Sequence, residues 1–316
     1  MPRRPGPPSP AQCDDRAFPA LHLTHGLPAS HVAARVRRGE WVRVRRGVCM
    51  DAGADAADPH RMALARTLGA HACLGGTHVL SHMSAALVAG LPLLTPPTRA
   101  HVTQPWRPRS AIADDVVRHV RPLPPGHVTT LRGIPATSLA RTLADCATAL
   151  PALDGLAVMD AGLHLGVPRS EVEEIVADLT GRRGVVRARA VLEAADDGAE
   201  SPGESWTRWV LLRAGLPAPE TQLEVETRLG PRWSDLGWRE WRLLLEYDGR
   251  QKYGDGGAVA EALLAERRRQ EALEEEGWRV VRVVKEDLRS PHALVARVLR
   301  FVPGPVRLEP RDILAT

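Results

Sequence analysis

The sequence predicts a protein of two main parts, in which a helix-and-hairpin module and a helical middle region precede a smaller domain built around a mixed sheet. A length of 316 residues leaves room for two or more domains, each with its own core. Residues 41–45 alternate apolar and basic side chains directly after a predicted helix. Residues 243–245 form an all-leucine strand among short strands and helices, a mixture that is typical of an α/β domain.

The composition is that of a globular protein, with 44% hydrophobic and 25% charged residues. No run of about 18 apolar residues occurs, so no membrane partner is expected. Residues 1–17 are polar and Pro-rich, which predicts a disordered lead-in rather than a signal peptide. The four cysteines are scattered without a CxxC pair, which indicates free thiols in a reducing cytoplasm rather than a zinc site or disulfides.

The first module, residues 18–50, is predicted to fold as helix, turn, helix and hairpin. Ser30 is a candidate N-cap for the second helix, residues 31–38. The alternating strand of residues 41–45 comes next, and Arg46-Gly47 is typical of the turn into the second strand of a hairpin.

The second helix and the hairpin are rich in arginine, with Glu40 as the opposing acid. A helix that enters a groove beside a hairpin that touches the backbone is how helix-turn-helix variants dock on DNA. The planar guanidinium suits both phosphate and guanine. The predicted DNA contacts are Arg35, Arg37, Arg38, Arg43, Arg45 and Arg46. A solvated charged surface in an arginine-rich chain is the alternative.

These segments resemble the N-terminal winged-helix domain of AbiEi-type antitoxins of type IV toxin–antitoxin systems. The residues that carry the likeness are Gly26-Leu27, residues 31–41 and residues 44–48. Residues 80–86 and 133–143 are similar to the segments that come after this module in actinobacterial proteins. The resemblance implies a winged helix-turn-helix unit of the transcriptional-regulator kind, and a cognate toxin as a further partner.

The middle region, residues 51–198, is predicted to be helical with a small sheet. Helices are expected within residues 59–94 and over residues 138–150, 153–165, 170–179 and 185–195, with short strands at residues 100–103 and 116–120. His82 lies beside Ser81 and Ser84, which admits a nucleophile–base pair. Because no acidic partner is evident in the sequence, a helix-capping serine and a packed histidine are preferred.

The rear domain, residues 199–303, is predicted to hold a small mixed sheet between helices, followed by a tail over residues 304–316. The expected order is a helix (204–214), three strands (222–228, 234–238, 242–247), a helix (258–276), a strand (278–284) and a helix (291–301). The three strands before the long helix and the one after it favour a mixed sheet.

Carboxylates cluster at the end of the leucine strand. Glu246 and Asp248 share a face because strand side chains alternate, and Asp235 falls opposite Glu246 if the two strands pair. Converging carboxylates repel one another unless a cation lies among them, and hard oxygen ligands suit Mg²⁺ or Mn²⁺. Lys252, one of two lysines in the chain, is the candidate to position a water. The alternative is an acidic surface turn.

The constellation resembles the PD-(D/E)XK nuclease superfamily, and more narrowly the very-short-patch-repair endonuclease-like domains. The matched segments are residues 200–205, 235–236, 246–249, 266–269 and 277–283. The resemblance implies a restriction-endonuclease-like α/β fold, Asp235 and Glu246 as metal ligands, and Glu204 as a supporting acid. Asp248 stands where the superfamily has its lysine, so either Lys252 takes over that role or Asp248 binds metal and a helix residue serves instead. This departure bears on activity more than on the fold.

Three functions are compatible with these patterns. The first is a DNA-binding protein whose rear domain hydrolyses phosphodiester bonds with Mg²⁺ as a metal-dependent endonuclease. The second is a non-catalytic repressor whose rear domain binds DNA or protein. The third is an antitoxin that neutralises a nucleotidyltransferase-type toxin.

Overall fold

A computed structural model of the chain describes residues 16–107, 114–249, 257–304 and 306–315. The described residues form two compact units. The front unit comprises residues 16–107, 114–150 and 167–185, and the rear unit comprises the remainder.

The front unit contains two sheets and their helices. In chain order its elements are β1 (Leu21–Leu23), α1 (Ala29–Arg37), β2 (Trp41–Arg45), β3 (Val48–Asp51), α2 (Ala54–Ala57), α3 (Pro59–Cys73), β4 (Val79–Leu80), α4 (His82–Ala89), β5 (Ala100–Gln104), β6 (Val116–Val120), a 3₁₀ turn (Pro125–His127), β7 (Val128–Leu131), β8 (Ile134–Thr137), α5 (Leu139–Ala149) and α7 (Arg169–Asp178).

The first sheet has the order β1-β3-β2 with antiparallel neighbours. The predicted first helix is wrong, because Leu21 and Leu23 pair with Met50 and Val48 of the hairpin instead. Leu21 packs against the small core that Val48, Met50 and Met62 share. The two β1 leucines are therefore positioned by a distant strand that the local pattern does not reveal.

One helix precedes the hairpin in the described residues. It begins at Ala29 after Pro28 at its N-cap, so the prediction that Ser30 caps it is wrong. Gly39, with φ of +69°, follows directly and lets the chain turn into β2. The predicted turn at Arg46-Gly47 is confirmed, with Gly47 at φ +82°.

The second sheet has the order β6-β5-β4-β8-β7. Its pairs β5–β6 and β4–β8 are parallel, and the others are antiparallel. Strands β5 and β6 are confirmed, and β7 and β8 form a hairpin whose turn is Arg132-Gly133. Arg132 and Gly133 of that turn have φ of +49° and +85°, which suits the two-residue connection of a hairpin.

The rear unit is a four-stranded sheet with flanking helices. Its elements are α6 (Ala152–His164), α8 (Val185–Ala194), α9 (Pro202–Arg213), β9 (Glu220–Val225), β10 (Arg232–Trp238), β11 (Leu243–Asp248), α10 (Gly257–Glu275), β12 (Arg279–Val284), α11 (Lys285–Leu288), α12 (Pro291–Leu299) and a 3₁₀ turn (Asp312–Ala315).

The rear sheet has the order β12-β11-β10-β9. Strand β11 runs antiparallel to β10 and parallel to β12, and α10 makes the crossover between the parallel pair. The leucines Leu243 and Leu245 are buried in one core with Val281 and Val283 of β12. The predicted helices and strands of this region are all found, with ends shifted by at most a few residues.

Helix α6 belongs to the rear unit although the sequence assigns it to the middle region. Its Asp160 is fully buried and receives two bonds from Arg208 of α9, at 2.6 and 2.7 Å. The backbone N–H of Asp196 also donates to that carboxylate, at 2.9 Å. The compact units thus divide the chain differently from the predicted boundaries at residues 50 and 198.

Within the described part of the chain, none of the helices combines the length and the apolarity that crossing a bilayer requires. Cys49, Cys73 and Cys146 are free thiols, while Cys13 lies outside the described residues.

Candidate functional site

The six candidate DNA-contacting arginines separate into three groups in the structure. Arg35 and Arg38 both bond Glu40, at 2.8 and 2.5 Å, and Arg35 also lies 5.1 Å from the centre of the Trp41 ring. The bond from Arg38 lowers the pKa of Glu40, so this pairing is electrostatically favourable. Glu40 therefore holds the end of α1 against the start of the hairpin and neutralises part of its charge.

Arg45 points into the front unit, which corrects its prediction as a DNA contact. Its guanidinium donates to the Gly69 carbonyl at 3.1 Å and pairs with Asp115 at 2.9 Å, and its side chain is only 8% exposed. The cause is a bulge between Arg43 and Arg45 in the pairing of β2 with β3. The bulge turns Arg45 inward, where it fixes the hairpin to α3.

Arg37, Arg43 and Arg46 remain exposed, and we call them the arginine surface. Arg37 lies in the last turn of α1, Arg43 in β2 and Arg46 in the hairpin turn. Within the described residues, no ion pair occupies any of the three. Their three guanidinium groups are therefore exposed charges on α1, β2 and the hairpin turn.

The rear unit gathers three predicted carboxylates, Glu204, Asp235 and Glu246, which we call the carboxylate cluster. Strands β10 and β11 pair from Trp238–Leu243 to Leu236–Leu245, which sets Asp235 and Glu246 just beyond the last paired residues. There the carboxylate of Asp235 accepts a bond from the Tyr247 backbone N–H at 2.7 Å. A side chain thus replaces a strand-to-strand bond where the carboxylates meet.

Glu204 comes from the first turn of α9. Its carboxylate accepts from the hydroxyl of Ser201 at 2.7 Å and from the backbone N–H of Glu200 at 2.8 Å, while its own N–H donates to Ser201. This is a capping arrangement, and it occupies both carboxylate oxygens. Glu204 is consequently held by the helix end rather than offered to a ligand.

Burial dominates the electrostatics of the carboxylate cluster. It raises the pKa of Glu204 to about 8 with help from the charge of Asp235, and it raises the pKa of Asp235 to about 6 against the bond from Tyr247. The pKa of Glu246 is also raised by burial, against the attraction of Arg269. At neutral pH, Glu204 is therefore largely protonated, whereas Asp235 has a pKa close to neutral pH.

Arg269 of α10 lies where a cation is predicted. Its guanidinium is 2.6 Å from Glu246, and it also donates to the Trp233 carbonyl at 2.8 Å. Asp248 ends β11 on the same face as Glu246, since strand side chains alternate. Lys252, the predicted water-positioning residue, lies outside the described residues.

The front unit holds a second group of titratable side chains that the sequence suggested only in part. His82, His101 and His119, which we call the histidine cluster, each offer one ring nitrogen, and these three atoms all lie within 4.8 Å of one another. The sequence placed His82 as a packed histidine without an acidic partner. It is buried as expected, but Asp145 lies 3.8 Å away, which corrects the second half of that interpretation.

Ser81 and Asp145 do not complete a catalytic triad with His82. Both approach the same ring nitrogen, Nδ1, the serine hydroxyl at 3.0 Å and the carboxylate at 3.8 Å. A triad needs the nucleophile and the acid on opposite nitrogens. Ser81 is the N-cap residue of α4, yet its hydroxyl contacts His82 and Thr103 rather than the helix backbone.

A family model matches the middle of the chain. Residues 70–194 match the AbiEi antitoxin C-terminal domain, so a domain of this kind lies at those positions. Two curated proteins of Mycobacterium tuberculosis, the uncharacterized proteins MT2308 of strain CDC 1551 and Rv2248 of strain H37Rv, are each 38% identical over 170 residues. That match covers 53% of this chain and 61% of the length of those relatives.

A solved structure also aligns with the chain. The crystal structure of the RV2827C protein from Mycobacterium tuberculosis covers 66% of this chain and 83% of its own, at 19% identity and a TM-score of 0.34. At that score the alignment identifies no shared fold.

Proposed function

We propose that the chain is a DNA-binding, antitoxin-like regulator. The observation that carries this proposal is the arginine surface, which lies in the same compact unit as most of the AbiEi antitoxin C-terminal domain. The domain match supports the antitoxin-like part, and the exposed guanidinium groups support contact with the DNA backbone.

The geometry of the arginine surface suits a duplex. Arg37 ends a helix, and Arg43 and Arg46 lie on the hairpin that follows it, so one helix and one hairpin would meet neighbouring phosphates. Arg45 anchors the hairpin from behind through Asp115 and the Gly69 carbonyl. A hairpin fixed in this way presents its exposed arginines with little loss of conformational freedom on binding.

Replacement of Arg37, Arg43 and Arg46 by Ala tests DNA binding. For each phosphate that is no longer neutralised, the dependence of log K on log salt should flatten by roughly 0.9. The measurement is affinity for duplex DNA, including the region upstream of the protein's own gene, over a series of salt concentrations. The matched control replaces the exposed Arg267, Arg289 and Arg307 of the rear unit, which removes the same charge.

An unchanged salt slope in the folded front variant would contradict the proposal. If the salt dependence flattens only in the control variant, the DNA-binding surface lies in the rear unit instead.

A toxin is the second partner that the proposal includes. AbiEi-type antitoxins resemble this chain over the matched domain, and the proposed partner is therefore a toxin of the nucleotidyltransferase kind. Co-expression should restore growth to cells that carry such a toxin from a neighbouring gene. Growth arrest that persists despite abundant folded protein would contradict this part.

Hydrolysis of phosphodiester bonds is a second candidate function, favoured by the convergence of Asp235 and Glu246 at strand ends. The rear unit has the element order helix, three strands, helix and strand, and this order supports the restriction-endonuclease-like fold that the sequence resemblance implies. The oxygen donors of Asp235 and Glu246 fit a hard divalent ion, and Asp248 lies on the same face of β11 as Glu246, whereas Glu204 does not fit because both its oxygens are engaged. Mg²⁺ would supply an activated water and charge stabilisation there.

Two contacts in the carboxylate cluster affect metal binding in opposite directions. Asp235 is held by the Tyr247 N–H in a fixed orientation, which favours a preformed site. Arg269 pairs with Glu246 and must yield to a metal or remain to hold a phosphate. Cleavage of single- and double-stranded DNA with Mg²⁺ or Mn²⁺ is the assay.

Cutting should disappear in both Asp235→Ala and Glu246→Ala and persist in Glu271→Ala, an exposed acid of α10. Cutting that survives both cluster variants belongs to another protein. If the intact, DNA-binding chain does not cut, the regulator alone remains.

A further inference from the structure

The histidine cluster joins three elements of the front unit. His82 begins α4, His101 lies in β5 and His119 in β6. Each of the three side chains offers one nitrogen atom, and among the described residues these are the three His, Cys, Asp or Glu side chains whose ligand atoms all lie within 4.8 Å of one another. Imidazole nitrogens gathered from three separate elements are the donor set that zinc and similar ions prefer.

Sheet pairing explains how the three residues meet. The parallel register of β5 and β6 sets Thr103 opposite His119, and His101 shares the face of Thr103 because it lies two residues earlier. Strand β4 pairs with β5 on its other side and leads directly into Ser81 and His82. The fold therefore delivers His82 to the face that carries the other two rings.

One of the nitrogen–nitrogen distances already fits a tetrahedral ion. Nδ1 of His101 lies 3.2 Å from Nε2 of His119. Two nitrogens bound to one tetrahedral zinc at about 2.0–2.1 Å are about 3.3 Å apart, so these two atoms already have the required spacing. The His82 ring stacks on His119 with centroids 3.6 Å apart and would tilt out of that stack to complete the set.

All three rings are in the protonation state that a metal requires. Burial lowers the pKa of His101 and of His119 to about 4, and burial with the neighbouring imidazoles and arginines lowers that of His82 well below its usual value. Neutral imidazoles bind a metal without releasing protons. A stack of neutral rings that merely hydrogen-bond one another is the structural alternative.

The surroundings of His82 resemble the supporting shell of a metal site. Its Nδ1 lies 3.0 Å from the Ser81 hydroxyl, which accepts a bond from Thr103 at 2.9 Å. Oδ2 of Asp145 is buried without a hydrogen-bond partner among the described residues, 3.8 Å from the same nitrogen. A small movement of the ring would give the carboxylate–histidine–metal order in which a second nitrogen binds the ion.

The backbone of His82 is also strained. Its φ of +51° lies in the left-handed region, which non-glycine residues adopt only at a cost in free energy. Such strain persists where the surroundings determine the position of a side chain. The strained backbone is a second observation, independent of the ring distances, that supports a functional role for His82.

We propose that His82, His101 and His119 bind one divalent ion of the zinc class through three imidazoles, with the fourth position open. His119 is half-buried while the other two are buried, so entry is from the His119 side. Arg121 and Arg141 both bond Oδ1 of Asp145, at 2.5 and 2.9 Å, and leave the neighbourhood positively charged. That charge favours hydroxide or another anion as the fourth ligand.

The test loads the full, chelator-treated chain with Zn²⁺ alone, and with Co²⁺ as a coloured substitute. We expect one ion per chain, a raised melting temperature, and a Co²⁺ spectrum of tetrahedral nitrogen ligation without a thiolate band. Replacement of the half-exposed His119 by Gln should weaken binding by more than about tenfold, because loss of a ligand exceeds the 10–100-fold effect of supporting residues.

The matched control is His71→Asn with His78→Asn. These two rings also approach each other, at 3.0 Å, and His71 lies in the last turn of α3, which the exposed Cys73 ends. Binding that is lost in the control and kept in His119→Gln would overturn the proposal, as would a thiolate band with Co²⁺.

A measurement on the unaltered chain guards against variants that fail to fold. In a ¹⁵N spectrum of labelled histidine, Zn²⁺ should shift the ring nitrogens of three of the twelve imidazoles. Absence of any shift at saturating Zn²⁺, or shifts confined to the rings that the His71/His78 variant removes, overturns the site.

Discussion

The histidine cluster and the carboxylate cluster bury similar numbers of titratable groups but respond oppositely to burial. In the front unit, burial lowers the pKa of all three histidines and makes them neutral bases. In the rear unit, burial raises the pKa of all three carboxyl groups and favours their neutral acid forms. Burial drives each set toward its uncharged state, and only the histidines thereby become ready metal ligands.

Burial therefore makes the carboxylate cluster the harder of the two to load with a metal. A cation must compete with Arg269 for Glu246 and with a proton for Asp235, whose pKa burial raises to about 6, whereas His101 and His119 need neither step. The guanidinium of Arg269 already neutralises the negative charge of Glu246, which the sequence predicts a metal ion to neutralise.

The largest expected difference between the clusters concerns their ion pairs. Asp145→Ala should destabilise the front unit by about 3–5 kcal/mol, because Arg121 and Arg141 lose a fully buried partner. Glu246→Ala should cost the rear unit under about 2 kcal/mol, since Arg269 keeps its bond to the Trp233 carbonyl. Urea unfolding, followed by hydrogen exchange in each unit, measures both values.

Equal costs in the two variants would contradict this ranking. It would mean that the carboxylate cluster depends on its ion pair as strongly as the histidine cluster does.

A smaller effect is expected from pH, with opposite signs in the two units. The folded pKa of His101 and His119 lies below 6.5, so their contribution to stability is present above about pH 6.5 and is lost as pH falls toward about 4. The folded pKa of Glu204 lies above 4.5, so its contribution is present below about pH 4.5 and is lost as pH rises toward about 8. Each group contributes at most about 1.4 kcal/mol per pH unit.

His119→Gln and Glu204→Gln sharpen this prediction, because each removes one titrating group. The first should flatten the acid slope of the front unit and the second the alkaline slope of the rear unit. Each variant serves as the control for the other.

The sequence predicts the rear unit well because its signals are local. Leu243 to Leu245 define a buried strand, and the long helix before Trp278 follows from its own pattern. The approach of Asp235 to Glu246 also follows, since it requires only that two adjacent strands pair. The role of Arg269 does not, because α10 returns over the sheet from a distance in sequence.

The front unit is predicted less well because its decisive contacts are not local. Leu21 and Leu23 become a strand by pairing with Met50 and Val48, which overrides the helix expected there. Arg45 alternates like a surface residue until a bulge turns it inward. His101 and His119 are isolated in sequence, and only the parallel register of β5 and β6 brings them to His82. A histidine within each of two apolar strands was the available signal.

Hydrogen exchange of the metal-free chain across about pH 5 to about pH 8 tests the opposition between the clusters most directly. After correction for intrinsic exchange rates, peptides of the front unit should lose protection toward acid. Peptides of the rear unit should lose protection toward alkali. Protection that falls in the same direction in both units would contradict the account.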